Sequence, residues 1–404
     1  MKTIKKYSMD VCSVCNGQNL HKFIDLPKFP QIGIYLDLAD SDDNSPCVDN
    51  ALVHCADCGH VQMQYAVDPA FLYDTGFQHK TSQSASAMQA NNFLYEFVKK
   101  RFGDLEQKTV AEVGCNDSFF LRKFAEDHKC SVVGVDPTLS GNEATFLQGL
   151  EPQLADKFTL VGDFIENVDF VSVIGSKPDI LISNFVFEHL KEPRTVVESM
   201  LSAVADEGMC FIGVPTIEFM CFNARFDQLS HQHYQQFSVR SLHQLVEEVG
   251  GKVLGFEKNF TNWGQTVVVF GRGQGTEEYK KHYKFEMVDL TNAYEIFCRD
   301  IETMKVKVDH LARGREVVGF GAAQNFPVLH YFAGKEVPFD VIYDDHPLRQ
   351  NKKFPFVENI TTRKPDDEFE GKVGVLTGPD YGRVLFKRMG DLSFDHIVSP
   401  FSSY

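Results

Sequence analysis

Tryptophan is nearly missing from this chain, which has one, Trp263, in 404 residues. Long apolar runs are missing altogether. No stretch approaches the ~18 uninterrupted apolar residues that a membrane helix needs, so no membrane partner is expected. The opening Met1-Lys2-Thr3-Ile4-Lys5-Lys6 runs into no apolar segment, which excludes reading it as a signal peptide. Clustered positive charge is missing too. Against 56 Asp+Glu stand 40 Lys+Arg, a formal net charge of -16, and the basic residues are dispersed. A nucleic-acid backbone needs a strong local basic patch, so no nucleic-acid partner is expected. An anionic small molecule is not excluded, because helix N-termini and a few buried basic side chains suffice to bind phosphate.

What remains is the make-up of a globular enzyme, with 43% hydrophobic and 24% charged residues. The length implies two or three domains. The 36 phenylalanines are adequately explained by a core. Ten cysteines without a secretory leader point to thiols and metal rather than to disulfides, and to a cytoplasmic protein.

Two C-x-x-C pairs, Cys12/Cys15 and Cys55/Cys58, are 39 residues apart. Each turn presents two sulfurs to one ion, and Asn16-Gly17 and Gly59 suit the tight turns beyond them. Four thiolates leave no open coordination position, so a structural zinc ion is expected, in a domain spanning 1–75.

From about residue 86, helices and apolar strands alternate, the pattern of a doubly wound parallel sheet. A helix over 86–101 precedes strands at 109–113, 131–135, 158–161, 179–183, 209–214 and 266–270. The first strand runs into Gly114-Cys115-Asn116-Asp117-Ser118, and the second ends at Asp136, about 22 residues beyond Gly114. That interval suits an acid gripping ribose hydroxyls. A G-x-G-x-x-G fingerprint would favour a dinucleotide, but only Gly114 is present, and Ser118 stands where many such loops have glycine.

The densest run of chemistry is Phe226-Asp227-Gln228-Leu229-Ser230-His231-Gln232-His233-Tyr234, just before a helix that Ser238 is expected to cap. A histidine can act as a general base near neutral pH. Two histidines at i and i+2 could also hold a metal, though the sequence offers no evident third ligand. Near the C-terminus a helix over 289–311 leads to strands at 315–318 and 339–343. Between them lies Gly319-Phe320-Gly321-Ala322-Ala323-Gln324-Asn325, and Asp344 follows the second strand. This is a second Rossmann-like unit.

Glu112-Val113-Gly114-Cys115-Asn116-Asp117 resembles motif I of class I S-adenosylmethionine methyltransferases, and Asp179 to His189 resembles their fourth strand and the loop beyond it. With the cysteine pairs, these segments resemble the sugar C-methyltransferases of deoxysugar biosynthesis over nearly the whole chain. The resemblance implies that Glu112, Gly114, Cys115 and Asn116 contact the amino acid part of S-adenosylmethionine. It places Asp136 on the ribose, Asp163 and Phe164 near adenine, and Asn184 and Phe185 at the reactive methyl. It implies His233 as the base, with His231 and Gln232 beside it, although the family typically reads Tyr-His-Glu-His there and this chain has Gln232 for the acid.

In the segment Tyr73 to Ser82, Phe77 and His79 stand where the family has a tyrosine pair, so His79 is a candidate donor, with Tyr73, Phe77 and Lys80 towards substrate. In the C-terminal domain, Gln324, Asn325 and Asp344 are the substrate candidates. Asn325 replaces a common lysine, and Thr377-Gly378-Pro379-Asp380-Tyr381 departs from the family's Ala-Trp-Asn pattern.

The expectation is therefore an α/β protein with three parts: a zinc-binding domain (1–75), a cofactor-binding Rossmann-like methyltransferase domain (76–272), and a smaller C-terminal α/β domain (273–404) that holds a nucleotide-linked sugar. The alternatives are O-methylation of a sugar or other small molecule, and a catalytically weak binding or scaffold relative.

Overall fold

The computed structural model describes residues 4–40, 47–72, 80–259, 261, 264–334, 338–365 and 368–401. Its centre is a seven-stranded sheet. Across it run Lys252–Asn259, Gln265–Gly271, Met209–Pro215, Ile180–Asn184, Thr109–Val113, Ser131–Val135 and Phe158–Val161. The strands expected at 109–113, 131–135 and 158–161 keep those bounds. The sheet is not wholly parallel, however. Gln265–Gly271 runs antiparallel to both neighbours, and Lys252–Asn259, which the sequence reading missed, forms the edge beyond it. Only five residues, 260–264, separate the two strands in sequence, too few for a parallel crossover; a short connection returns the chain as a hairpin partner.

Helices cover both faces for legible reasons. In Ala85–Phe102 the side chain of Ser84 accepts a bond from the Ala87 amide and Gly103 ends the helix. Its buried residues Ala87, Ala90, Asn91, Leu94, Tyr95, Phe97 and Val98 recur at helical spacing. Val239–Glu248 begins with the expected Ser238 cap, reciprocated by Ser241. On that helix His243 is buried, bonded through Nδ1 to the Val239 carbonyl and edge-on to Phe256. Burial brings its pKa down to about 4.

A histidine that is neutral when folded contributes stability fully present above its unfolded pKa of about 6.5 and lost as pH falls towards 4. The expected loss is at most about 3 kcal/mol, at ~1.4 kcal/mol per pH unit. Urea titrations at pH 7.5 and 4.5 should show H243M flattening this acid limb relative to wild type.

The N-terminal sheet has the order Gln235–Gln236, Val61–Met63, Val48–Cys55, Leu20–Phe29. Its first strand is lent by the histidine-rich segment of the central region, across the 75/76 boundary expected from sequence. A third sheet, His396–Val398, Val373–Leu376, Val317–Phe320, Val341–Tyr343, Thr361–Arg363, Lys352–Lys353, is completed at its edge by Leu36–Asp37 from the N-terminal region.

Met287–Ala312 joins these parts. Its inward stripe Leu290, Ala293, Phe297, Ile301, Met304 and Val308 shares one apolar core with Ile24, Leu26 and Phe29 of the N-terminal sheet and Val317, Ile342 and Val375 of the last. Among the described residues no helix is long and apolar enough to cross a membrane.

Candidate active site and zinc centre

The four cysteines converge. Cys12 and Cys58 sulfurs are 3.6 Å apart, Cys15 and Cys55 sulfurs 3.7 Å, and all four lie within 4.8 Å of one another. Sulfurs at about 2.3 Å from a tetrahedral zinc ion are ~3.8 Å apart, so the cage fits zinc. Asn16 (φ 57°) and Gly59 (φ 80°) occupy the left-handed region at the two knuckle turns. The cage is docked on the central domain: Arg194 donates to the Val14 carbonyl at 2.7 Å, and Gln235 Nε2 donates to Ser13 Oγ at 3.1 Å.

At the carboxyl ends of the central strands the glycine loop opens as expected. Gly114 has φ 75°, and a Cβ there would come within 2.4 Å of Val186, so the loop needs glycine. Asp136 is buried. Its Oδ2 accepts from the Asn116 amide at 2.9 Å, and its Oδ1 accepts from the Thr138 amide (2.9 Å) and hydroxyl (2.6 Å). A carboxylate has about four acceptor positions, so capacity remains for one outside donor.

Glu112 is buried with Oε2 unpartnered, and burial, then Asp136 and Asp117, hold its carboxyl well above the usual range. Cys115 is buried beneath the loop, and burial pushes its thiol up. Asn116 and Asp117 side chains accept from the amides of Thr81 (3.4 Å) and Ser82 (3.0 Å), drawing the segment after exposed Lys80 onto the loop. Asp163 Oδ1 accepts from the Asn167 side chain and from the Phe164 amide, which lowers its pKa. The Phe164 ring is 60% exposed, available as a stacking surface. Tyr73, Phe77 and His79 lie outside the described residues.

Asn184 is the middle of a buried amide ladder that the sequence reading missed. Asn259 donates to Gln265 (3.2 Å), Gln265 to Asn184 (2.9 Å), Asn184 to Asn91 (3.1 Å), and Asn91 to the Ala87 carbonyl (2.9 Å). Each amide has its orientation set by the next. Phe185 follows in the left-handed region (φ 55°) and turns the chain into Phe187–His189.

That turn supplies the second omission. His189 and His233 rings meet edge-on at 4.9 Å, and Glu188 lies with them. His189 Nδ1 bonds the Gln232 carbonyl at 2.8 Å, while its Nε2 faces Glu188 Oε1 at 3.9 Å. Glu188 is 1% exposed with Oε2 unpartnered, and burial raises its pKa to about 8. Burial, then His189, brings His233 down to about 3. The position of Glu188-His189, four and five residues beyond Asn184 in an already recognised loop, was the available signal.

His231 points elsewhere. Its Nε2 bonds the Phe29 carbonyl at 3.0 Å and its Nδ1 faces Asn50 at 3.3 Å, so it ties the segment to the N-terminal sheet. Gln232 contributes its carbonyl to His189.

In the C-terminal domain Asp344 repeats the arrangement of Asp136, accepting from the Ala322 and His346 amides at 2.7 Å each. Tyr35 donates to the Ala322 carbonyl (2.7 Å) and the Gly33 amide to the Gln324 carbonyl (3.3 Å), so the N-terminal segment sits against this glycine loop. Asn325 donates to Asp227 Oδ2 at 3.1 Å. Asp227 is held by Arg225 (2.7 and 2.9 Å), which also reaches Asp380 at 2.7 Å, a buried link between domains that the sequence did not announce.

A family model described as "Methyltransferase domain" matches residues 86–254, and one described as "Putative zinc binding domain" matches residues 12–73. Among curated proteins, C-methyltransferase NovU of Streptomyces niveus is 23% identical over 363 residues, covering 86% of this chain and 84% of that protein. The tRNA U34 carboxymethyltransferase of Campylobacter jejuni subsp. doylei is 23% identical over 124 residues, 31% of this chain; the chain spans 41% of that relative's length. Among solved structures, 1,6-didemethyltoxoflavin-N1-methyltransferase of Burkholderia thailandensis, with S-adenosylhomocysteine bound, is 14% identical. It covers 47% of this chain and 79% of its own, with a TM-score of 0.36.

Proposed function

Because this chain is an S-adenosylmethionine-dependent methyltransferase with a zinc-binding N-terminal domain, we propose that it methylates the carbon beside a ketone in a nucleotide-linked deoxysugar, with His233 as the base. The observation that carries the reading is the placement of His233 and His189 directly beyond Asn184 and Phe185, at the carboxyl edge of the sheet where ligands bind in such folds. The extended likeness to a C-methyltransferase supports transfer to carbon.

In this reading the proposed domains, 1–75, 76–272 and 273–404, hold zinc, cofactor and sugar nucleotide respectively. Glu112, Gly114, Cys115, Asn116 and Asp136 hold the amino acid and ribose portions, while Asp163 and Phe164 meet adenine. Asn184 and Phe185 border the methyl, and Lys80, Gln324, Asn325 and Asp344 stand on the substrate side. The cofactor supplies an electrophilic methyl. His233, neutral over the whole working range, accepts the proton alpha to the ketone. Bound at the loop, the cofactor would give its methyl to the resulting carbanion and depart as S-adenosylhomocysteine. A Glu188 carboxyl oxygen lies within 4.8 Å of a His233 ring nitrogen, within reach to accept a hydrogen bond from the imidazolium as it forms.

Calorimetry with S-adenosylmethionine and S-adenosylhomocysteine, followed by thermal shifts with a panel of nucleotide sugars, tests this. Wild type should bind cofactor at micromolar affinity. D136N should bind at least ~10-fold more weakly, since an amide at this position loses an acceptor and sets one N–H against the Asn116 or Thr138 donors. Cofactor binding with no further stabilisation by any nucleotide sugar would discard the substrate class. A methyl carbon found on oxygen by NMR would discard transfer to carbon.

A further inference from the structure

We infer that Glu188, His189 and His233 form a second metal site, distinct from the four-cysteine cage, that takes a divalent transition-metal ion. One donor atom from each lies within 4.8 Å of the others. An ion bonded at about 2.1 Å holds neighbouring ligands roughly 3 to 4.2 Å apart, so side-chain movements of about an ångström close the site.

Three features of the surroundings favour an ion over a mere packing cluster. Glu188 Oε2 is buried without a partner, an acceptor that the fold leaves unanswered. His189 gives its Nδ1 to a backbone carbonyl and turns Nε2 to the carboxylate, the orientation that metal-bound histidines take from their outer contacts. No lysine or arginine forms an ion pair with Glu188 among the described residues. Two imidazoles and one carboxylate suit zinc, cobalt, nickel, iron(II) or manganese, whereas magnesium and calcium prefer all-oxygen ligands. Three ligands leave positions open to water or a substrate oxygen.

The inference shares its residues with the proposed base. An ion on His233 occupies the lone pair that would receive the proton, so ion occupancy and methyl transfer exclude each other, and excess metal is an inhibitor of the site. This consequence rests on the function proposed above; the binding itself does not.

The test is a cobalt(II) titration of the full, zinc-loaded chain. The expected result is one further equivalent, with visible d–d bands and none of the intense near-ultraviolet thiolate charge transfer that cobalt in the cysteine cage would show. E188Q, H189A and H233A should each weaken it by more than the ~10–100-fold typical of an outer-contact change, and magnesium should not displace it. Wild type showing only thiolate-type bands, or no band at all, overturns the inference without reference to any variant. So does a nitrogen–oxygen-type band that survives in all three variants. If cobalt binds as expected while methyl transfer proceeds undiminished, the site stands and the assignment of His233 as base falls.

Discussion

C58S is expected to lose zinc, to lose more than about 4 kcal/mol of stability, and to lose methyl transfer far more severely than cofactor binding. The energetic part follows from removing one of four thiolates from a cage whose sulfurs are already spaced for one ion. The functional part follows from what the cage supports. The N-terminal sheet takes Gln235–Gln236 as its edge strand, and the Met63 amide bonds the Tyr234 carbonyl at 2.8 Å. His231 is tied to Phe29 and Asn50, while Gln235 ties the same sheet to the Leu190 carbonyl beyond His189.

His233 therefore stands between residues pinned by the zinc domain, whereas the Gly114 loop and Asp136 belong to the central sheet alone. Zinc content, urea denaturation, cofactor calorimetry and single-turnover methyl transfer together check this. A C58S protein that has lost its zinc yet retains wild-type transfer would show that the cage has no part in placing the base.

H233N is expected to lower kcat by about 10²–10⁴-fold, the usual worth of a positioned general base, with S-adenosylmethionine affinity unchanged within about threefold. Asparagine is close to histidine in size and keeps a polar end beside His189, so packing changes little, while its amide cannot accept the proton. H231N gives the contrast. It loses a buried link to the Phe29 carbonyl and should lower stability by about 1–3 kcal/mol, with a smaller effect on kcat in the protein that remains folded. Single-turnover rates on the identified substrate and denaturation curves separate the two. A fall of less than tenfold for H233N, or a greater fall for H231N, would remove His233 from the proton-transfer role.

Much of this protein was legible in the sequence by itself because the signals are local. A C-x-x-C turn carries its own two sulfurs and its own tight-turn residue, so Cys12, Cys15, Cys55 and Cys58 announced the zinc centre. A buried strand is rich in apolar residues, and the one after residue 108, with Val110, Ala111 and Val113, runs into Gly114, where φ 75° is needed. Asp136 lies one helix and one strand beyond, an interval set by the βαβ geometry.

Tertiary structure decided what depends on two distant segments meeting. The pairing of His189 with His233, the amide ladder from Asn259 to Asn91, the Arg225–Asp227–Asp380 link, and the edge strands lent between sheets join residues from 6 to 315 positions apart. Single side chains in these contacts follow no period along the chain, and only the relative placement of sheets gives them partners. His231 and His233 illustrate the division. Two positions apart in sequence, they are sent by an irregular backbone to opposite duties: one held to the N-terminal sheet, the other brought beside Glu188 and His189.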